Sequence, residues 1–464
     1  MFDCDVIVAG GGPSGSAAAA FLARAGHRVV LFERDQFPRF HIGESLLASV
    51  NDVIAAIGAD ALVRQAGFPQ KWGATFMLAD GRNERYADFG NAPGVRAPQT
   101  WQVPRATFDE LLLRHAASSG ADVRERHRIQ DVSFDGDAVT VAVQGPGGGP
   151  TNVRARAIVD ASGRGGLLSR KFNLRIDEPR LANVAVFSHY SGVPRAEGRR
   201  GGDIRIVARP DLGWFWLIPI SAGLMSVGVV MPREAFKAFG GTGVGTWGTG
   251  VGTWGTGVDR PIGSPPVPPP PVPPPEALLD RAIAGTPAVA RLLAGARREW
   301  PVRVERDFSF GSRAYAGDRW VVVGDAGSFL DPVFSTGVAI ALESGLEAAQ
   351  AMSAGLKNGD LSVRQFARFA RRQRQRYVSF RRFVLGFYTA AFRDLFFNEK
   401  PPARMFNAIV THFAGYWRPA LATRLWVTLF FALVWLQRFV PIAPPVWPVR
   451  EVDSDVGSAF RRTL

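Results

Sequence analysis

The chain opens with an apolar run, Val6 to Ala9, then a glycine-rich turn, GGGPSG, a small-residue stretch, Ser16 to Ala25, and a second apolar run, Arg28 to Phe32. Continuous apolar runs on either side of such a stretch predict strand, helix, strand, the start of a parallel sheet. The run closing in DASGR at Asp160 to Arg164 and the run RWVVVGD ending at Asp325 predict two further strands of that sheet, the last leading into a helix. Between them, Asp203 to Ala208 and Gly213 to Val230 show the alternation of half-buried strands, so a second, sheet-rich domain is predicted as an insertion in the first.

Residues 241–275 break this pattern. GTGVGTW occurs twice in tandem, at Gly241 to Trp247 and Gly248 to Trp254, and a proline tract follows from Pro265 to Pro275. A repeat this short cannot build a solenoid, so the segment reads as a surface insertion ending in a polyproline spacer. Helical patterning resumes from Glu276 to Arg298, and from about Ala351 the chain reads as helical to its end. Phe380, Phe383, Phe387, Tyr388, Phe392, Phe396 and Phe397 recur there at helical spacing and predict a buried stripe. Leu425 to Leu436, between Arg424 and Gln437, is too short to cross a bilayer; it predicts a segment folded against the catalytic body, roofing a pocket or resting on a membrane surface. Two regions follow: a core over 1–350 and a helical, arginine- and aromatic-rich region over 351–464.

Composition narrows the class. A chain of 464 residues with 47% hydrophobic and 21% charged content can bury a large core. Cys4, the single cysteine, cannot form an internal disulfide and leaves no metal-ligand cluster; it predicts a core residue in a reducing, cytoplasmic protein. Met1 is followed almost at once by the first strand rather than by a signal peptide. The net charge of +14 is concentrated in places such as Arg364, Arg368, Arg371, Arg372, Arg374 and Arg376, on one predicted helix. That row reads as a solvated face, or as a dock for an acidic carrier protein or anionic membrane; no nucleic-acid-binding module accompanies it, so nucleic acid is not expected.

Gly10, Gly12 and Gly15 form G-x-G-x-x-G between a strand and a helix, with Ser14 inside the turn. Missing side chains there let backbone N–H groups and the helix N-terminus approach a pyrophosphate. Glu33, eighteen positions after Gly15, closes the second strand where a carboxylate would accept hydrogen bonds from an adenosine ribose; Arg34 follows it. These residues together predict a dinucleotide site.

The rest of the constellation resembles the FAD-dependent monooxygenase and halogenase superfamily. Asp160 to Gly163 resemble its middle motif; V-G-D-A-G at Val323 to Gly327 resembles its third, which implies that Asp325 binds the ribityl chain, although the same carboxylate could cap a following helix. Arg105, in VPRATFDELL, matches a family arginine near the flavin. Three further matches resemble flavin-dependent halogenases. G-W-F-W-L-I-P at Gly213 to Pro219 contains W-x-W-x-I-P as Trp214, Trp216, Ile218 and Pro219. FLDPVFSTG fits F-x-x-P-x-x-S-x-G through Phe329, Pro332, Ser335 and Gly337. Lys71, in QKWGATF, stands where these enzymes place their essential lysine, with GESLL at Gly43 to Leu47, including Ser45, beside it.

The resemblance covers most of residues 1–350 and implies an α/β architecture: a Rossmann-like FAD-binding domain of the FAD monooxygenase type with an inserted β-sheet substrate domain and a helical C-terminal region. It implies a halogenase in which FAD, used as FADH2, reacts with oxygen to give a flavin hydroperoxide that a halide, chloride or bromide, converts to hypohalous acid. Lys71 would then orient that acid or capture its halogen, the backbone around Ser335, Thr336 and Gly337 would hold the halide, and Trp214 and Trp216 would line a tunnel that keeps organic substrate from the flavin. Phe334 stands where halogenases of free tryptophan carry a glutamate, which implies an electron-rich phenol or pyrrole, free or tethered to an acidic carrier protein. With no second nucleotide fold, a separate flavin reductase would supply FADH2. No metal site is expected. A monooxygenase, a geranylgeranyl-reductase-like lipid reductase, and a non-catalytic flavoprotein that docks a partner are the alternatives open at this level.

Overall fold

The computed structural model describes residues 1–238, 274–306, 309–398 and 402–447. The tandem GTGVGTW repeat and all of the 241–275 insertion except Pro274 and Pro275 lie outside the described residues.

Cys4–Ala9 is central to the first sheet, paired in parallel with Val29–Phe32 on one side and Thr151–Asp160 on the other. Asp122–Arg124 and Trp320–Val322 extend it in parallel at the two ends. The central strand is buried along nearly its whole length, as its unbroken apolar run requires. Helix Pro13–Arg24 packs against helices Arg105–Ser118 and Thr336–Asn358. Its four consecutive alanines, Ala17 to Ala20, are fully buried and allow that close approach. Cys4 is a core residue, and burial pushes its thiol up to about 12.

The second sheet runs Arg297–Arg298, Asn183–Ser191, Leu224–Pro232, Trp214–Pro219, Ile204–Ala208, Gly73–Leu78, Arg85–Asp88. The alternating stretches at 203–230 therefore supply three of its strands. Gly73–Leu78, a fully buried strand lying parallel to Ile204–Ala208, had no expected place in it. Just before this strand, Gln70–Lys71 pairs with Thr100–Trp101 in a separate two-stranded sheet, which sets Lys71 beside the loop of Ser45 and Leu46.

Three expectations change in detail. Asp325 sits in the one-turn helix Gly324–Ala326 and the long helix begins only at Thr336, so Asp325 does not cap it. The expected helix Glu276 to Arg298 is two helices, Pro275–Ala284 and Pro287–Leu292, because Pro287 lacks the N–H that would continue the first; Arg297–Arg298 is instead an edge strand paired with Tyr190 and Ser191. The arginine row is not one solvated face. Arg376 is 1% exposed and its guanidinium meets Glu343 at 3.1 Å and Glu347 at 2.9 Å, whereas Arg364, Arg368, Arg371 and Arg374 are exposed.

The helical region consists of Ala367–Phe387, Ala390–Phe396, Ala403–Phe413 and Leu421–Leu436. It joins the first domain in one continuous apolar core, which helix Thr336–Asn358 carries across position 350. Phe380, Phe383, Phe387, Phe392, Phe396 and Phe397 are buried in that core, and Tyr388 is half-buried. Leu421–Leu436 packs through Val427, Phe430 and Val434 and leaves Leu425 and Leu429 outward. No described helix is long and apolar enough to cross a membrane.

Candidate functional site

The nucleotide end of the site is shaped by what the glycines leave out. Gly10 holds φ +106°, where other residues are strained, and a Cβ on Gly15 would lie 1.9 Å from the Gly10 carbonyl oxygen. These two let the first helix seat on the first strand. A Cβ on Gly12 would meet only the Arg39 guanidinium, at 3.5 Å, so nothing in the fold itself demands glycine there. A bare position of this kind at a helix N-terminus leaves room for a ligand's phosphates. Glu33 is buried; one oxygen accepts from the Gly11 amide at 2.7 Å and the other from the Asp35 amide at 2.9 Å, which fixes the carboxylate beside the turn. Arg34 is exposed and its nearest carboxylate, Asp35, is 3.5 Å away.

Arg105 forms a two-pronged pair with Asp109, at 2.7 and 2.9 Å, and donates to the Ile42 carbonyl at 2.7 Å. It thereby pins the loop that leads into Gly43 to Leu47. Asp325 makes no side-chain hydrogen bond among the described residues; burial pushes its carboxyl up, opposed by Arg164 and Arg105. A free carboxylate at that turn, a bare Gly12 and a fixed Glu33 fit the pyrophosphate, ribose and ribityl parts of FAD.

Lys71 lies at the other end. It is 1% exposed, and its Nζ donates to Ser45 Oγ and to the Leu46 carbonyl, both at 2.8 Å. Burial holds its pKa down at about 7, with Asp203 pulling weakly the other way. Asp203 accepts from the Trp72 and Gly73 amides and from Tyr86 Oη, and so fixes the strand that carries Lys71. Lys71 and Ser335 line one apolar pocket, walled by Phe76, Phe89, Phe334 and Phe413. Among the described residues no carboxylate lines it. Of its walls, Phe334 and Phe413 stack on each other with ring centroids 4.4 Å apart.

Ser335 takes φ +58°, a left-handed conformation costing about 1–3 kcal/mol for a non-glycine residue unless the surroundings hold it. They do hold it. Its amide donates to the Pro332 carbonyl at 2.8 Å, and Asp331, fully buried, accepts from the Val333 amide at 3.1 Å. The Ser335 amide is thus already used, and the amides left at this helix start are those of Thr336 and Gly337, which helix geometry leaves without intrahelical partners. A Cβ on Gly337 would meet open space, so this end of the helix is clear.

Trp214 and Trp216 are buried neighbours, 5.9 Å between ring centroids, and neither lines the Lys71 pocket. Trp216 donates to Ser226 Oγ at 3.1 Å. Trp214 donates to Tyr388 Oη at 2.8 Å, Tyr388 donates to Asp331 Oδ2 at 2.8 Å, and Asn183 donates to the same oxygen at 2.7 Å. Sequence reasoning missed Asp203, Asp331 and Tyr388. Of these only Asp331, inside the FLDPVFSTG motif, carried a signal that could have found it.

Residues 3–213 match the family model of an FAD binding domain, and residues 284–418 match that of tryptophan halogenase. The chain is 34% identical over 394 residues to a flavin-dependent halogenase of Armillaria mellea, an alignment covering 83% of this chain and 74% of that one. It is 30% identical over 424 residues to the 1H-pyrrole-2-carbonyl-(peptidyl-carrier protein) chlorinase of Pseudomonas fluorescens, covering 87% of each. Among solved structures, the myxobacterial chondrochloren halogenase CndH superposes with a TM-score of 0.69 at 32% identity, over 93% of this chain and 97% of that one. An FAD-shaped cradle, a buried lysine pocket and relatives of this likeness over this much of the chain lead to one assignment: the protein belongs to the flavin-dependent halogenases, oxidoreductases that use FAD and a halide.

Proposed function

We propose that the protein halogenates an electron-rich aromatic, a phenol or pyrrole, with hypohalous acid delivered to Lys71. The observation that carries this reading is the single pocket shared by Lys71 and Ser335, apolar and without a lining carboxylate. Bound FAD, reduced by a separate flavin reductase, supplies the oxygen activation that oxidises chloride or bromide. The residues of the chain do the rest. Gly12, Glu33 and Asp325 hold the cofactor, and the amides of Thr336 and Gly337 receive the halide at a positive helix end. Lys71, whose neutral-amine fraction burial raises, either orients the hypohalous acid by hydrogen bonding or exchanges an N–H hydrogen for its halogen with release of water, and so presents the halogen to the ring. Trp214 and Trp216, packed on each other and tied to the Ser-Thr-Gly loop through Tyr388 and Asp331, keep the organic substrate away from the cofactor.

Phe334 at the pocket wall gives no general base, so the substrate's own hydroxyl or ring nitrogen has to activate it. The Pseudomonas relative is named for a pyrrole carried on a peptidyl-carrier protein. The exposed Arg364, Arg368, Arg371 and Arg374 offer an acidic carrier of that kind a basic surface here. The test supplies purified protein with FAD, a flavin reductase, NADH and bromide, and searches by mass spectrometry for brominated products from phenols, pyrroles and tryptophan. Bromination of phenols or pyrroles with tryptophan left unmodified is expected. Preferential bromination of tryptophan, or no halogenated product, would overturn the substrate assignment.

A further inference from the structure

The outer face of helix Leu421–Leu436 is unlike the rest of the surface. Among the described residues, eight of the fifteen exposed large apolar side chains fall between 421 and 442, among them Leu421, Leu425, Leu429, Trp435 and Phe439. Leu421 is 69%, Leu425 62%, Trp435 61% and Phe439 68% exposed. The opposite stripe, Thr423, Val427, Phe430 and Val434, is buried against the body, so the helix is already seated and its apolar outer row remains uncovered. An exposed apolar patch of this extent on a seated helix marks an interaction surface.

Charge says what covers it. From Lys400 to Arg450 the sequence contains no aspartate or glutamate. Arg404, Arg418, Arg424 and Arg438 are exposed, Arg424 and Arg438 lying towards the two ends of the outer row. Trp435 and Phe439 pack edge to face at 5.1 Å beside Arg438. An apolar stripe with aromatics at one end and cations around it, with no carboxylate in its own stretch of sequence, has the composition of a helix lying in a lipid interface; Asp394, which accepts from Gln437, is buried. A second copy of the chain fits poorly, because face-to-face pairing would bring arginines together with no carboxylate between them. An acidic protein would engage the arginines and leave the leucine row unmatched.

We propose that this face docks the enzyme on an anionic phospholipid surface, with the Leu421 to Phe439 row entering the headgroup boundary and Arg424 and Arg438 meeting lipid phosphates. The inner side of the same helix leads through Phe430 and Phe392 to Phe396 and on to Phe413, a wall of the Lys71 pocket, so the docked face adjoins the site through packed rings. The inference stands on the surface alone and does not depend on the substrate reading.

The test is co-sedimentation of the full-length, FAD-loaded protein with vesicles of phosphatidylglycerol and phosphatidylcholine, against phosphatidylcholine alone. Binding to the anionic vesicles that weakens as salt is raised is expected. The double variant Leu425→Asp with Leu429→Asp should bind about tenfold or more weakly at every salt concentration. Arg424→Gln with Arg438→Gln should lose about tenfold at low salt only. Circular dichroism and retained flavin fluorescence establish that each variant is folded; should the aspartates impair folding, Leu429→Ser replaces them. A folded wild-type protein that stays in the supernatant, or folded variants that all sediment like wild type, would overturn the proposal. So would concentration-dependent self-association, abolished by Leu429→Asp, in place of vesicle binding.

Discussion

At the scale of single residues, Lys71 and Gly12 carry most of the account. Lys71 is a buried amine whose pKa is held down at about 7 from an ordinary 10.5, with burial the dominant cause. If the amine is the acting form, kcat/KM for halogenation rises as pH climbs through about 7 and then levels; a fall through the same range would identify the ammonium instead. The same shift has a stability signature. Between about 7 and 10.5 the unfolded chain holds a proton that the folded chain has lost, so stability rises with pH across that window and the cost of the buried charge is fully present below it. Lys71→Met should flatten this slope in thermal midpoints measured against pH.

Gly12 separates ligand from fold. Because only the Arg39 guanidinium lies near its missing Cβ, Gly12→Val should leave the thermal midpoint of the cofactor-free protein within a few degrees while weakening FAD at least about tenfold in a fluorescence titration. Gly15→Val, which would collide with the Gly10 carbonyl, should fail to fold. Both glycines, Glu33 and Lys71 were legible in the sequence because chemistry at those points needs a residue type at a spacing. Asp203 was not, since its role depends on two amides 130 and 131 positions away that only the sheet brings near.

At the scale of elements, the loop before the long helix is the part most dependent on its surroundings. Asp331 ties the Pro332 to Ser335 turn to Tyr388 of the helical region and to Asn183 of the second sheet, and through Tyr388 to Trp214. Asp331→Ala leaves these donors without their shared acceptor and should cost about 1–3 kcal/mol of stability. By loosening the turn that aims the Thr336 and Gly337 amides it should also lower halogenation on the order of a hundredfold while FAD affinity changes little. Tyr388→Phe, which removes one link, should show the same pattern at smaller size; halogenation rates and FAD titrations of the two variants check it. The tryptophan motif and the Ser-Thr-Gly motif were each visible in sequence. Their connection was not, because it joins positions 214, 331 and 388 through side chains whose partners no periodicity specifies. The arginine row misled for a related reason: helical spacing says which residues share a face, and only the packing of Glu343 and Glu347 shows that Arg376 lies inside.

At the scale of the whole molecule, the two-domain α/β plan with its helical end was readable from runs, alternation and stripes. The strand Gly73–Leu78 was not, because a buried run in a parallel pairing does not alternate. The 241–275 insertion is flanked by helices Arg233–Ala238 and Pro275–Ala284, which both pack on strands Asn183–Ser191 and Leu224–Pro232. Replacing residues 241–273 by a short flexible linker should therefore keep the thermal midpoint within a few degrees and the halogenation rate within about twofold. A large loss of either, measured by melting curves and product formation, would assign the tandem repeat a structural role.

The measurement that tests the central claim most directly is a comparison of wild type with Lys71→Ala in one reaction containing FAD, a flavin reductase, NADH and bromide, following brominated aromatic product, NADH consumption and hydrogen peroxide together. With Lys71 acting at the pocket end of the site, after halide oxidation at the cofactor end, Lys71→Ala should lose bromination by at least about a hundredfold, bind FAD as wild type does and continue to consume NADH with release of peroxide. Bromination by Lys71→Ala at near the wild-type rate would contradict the account.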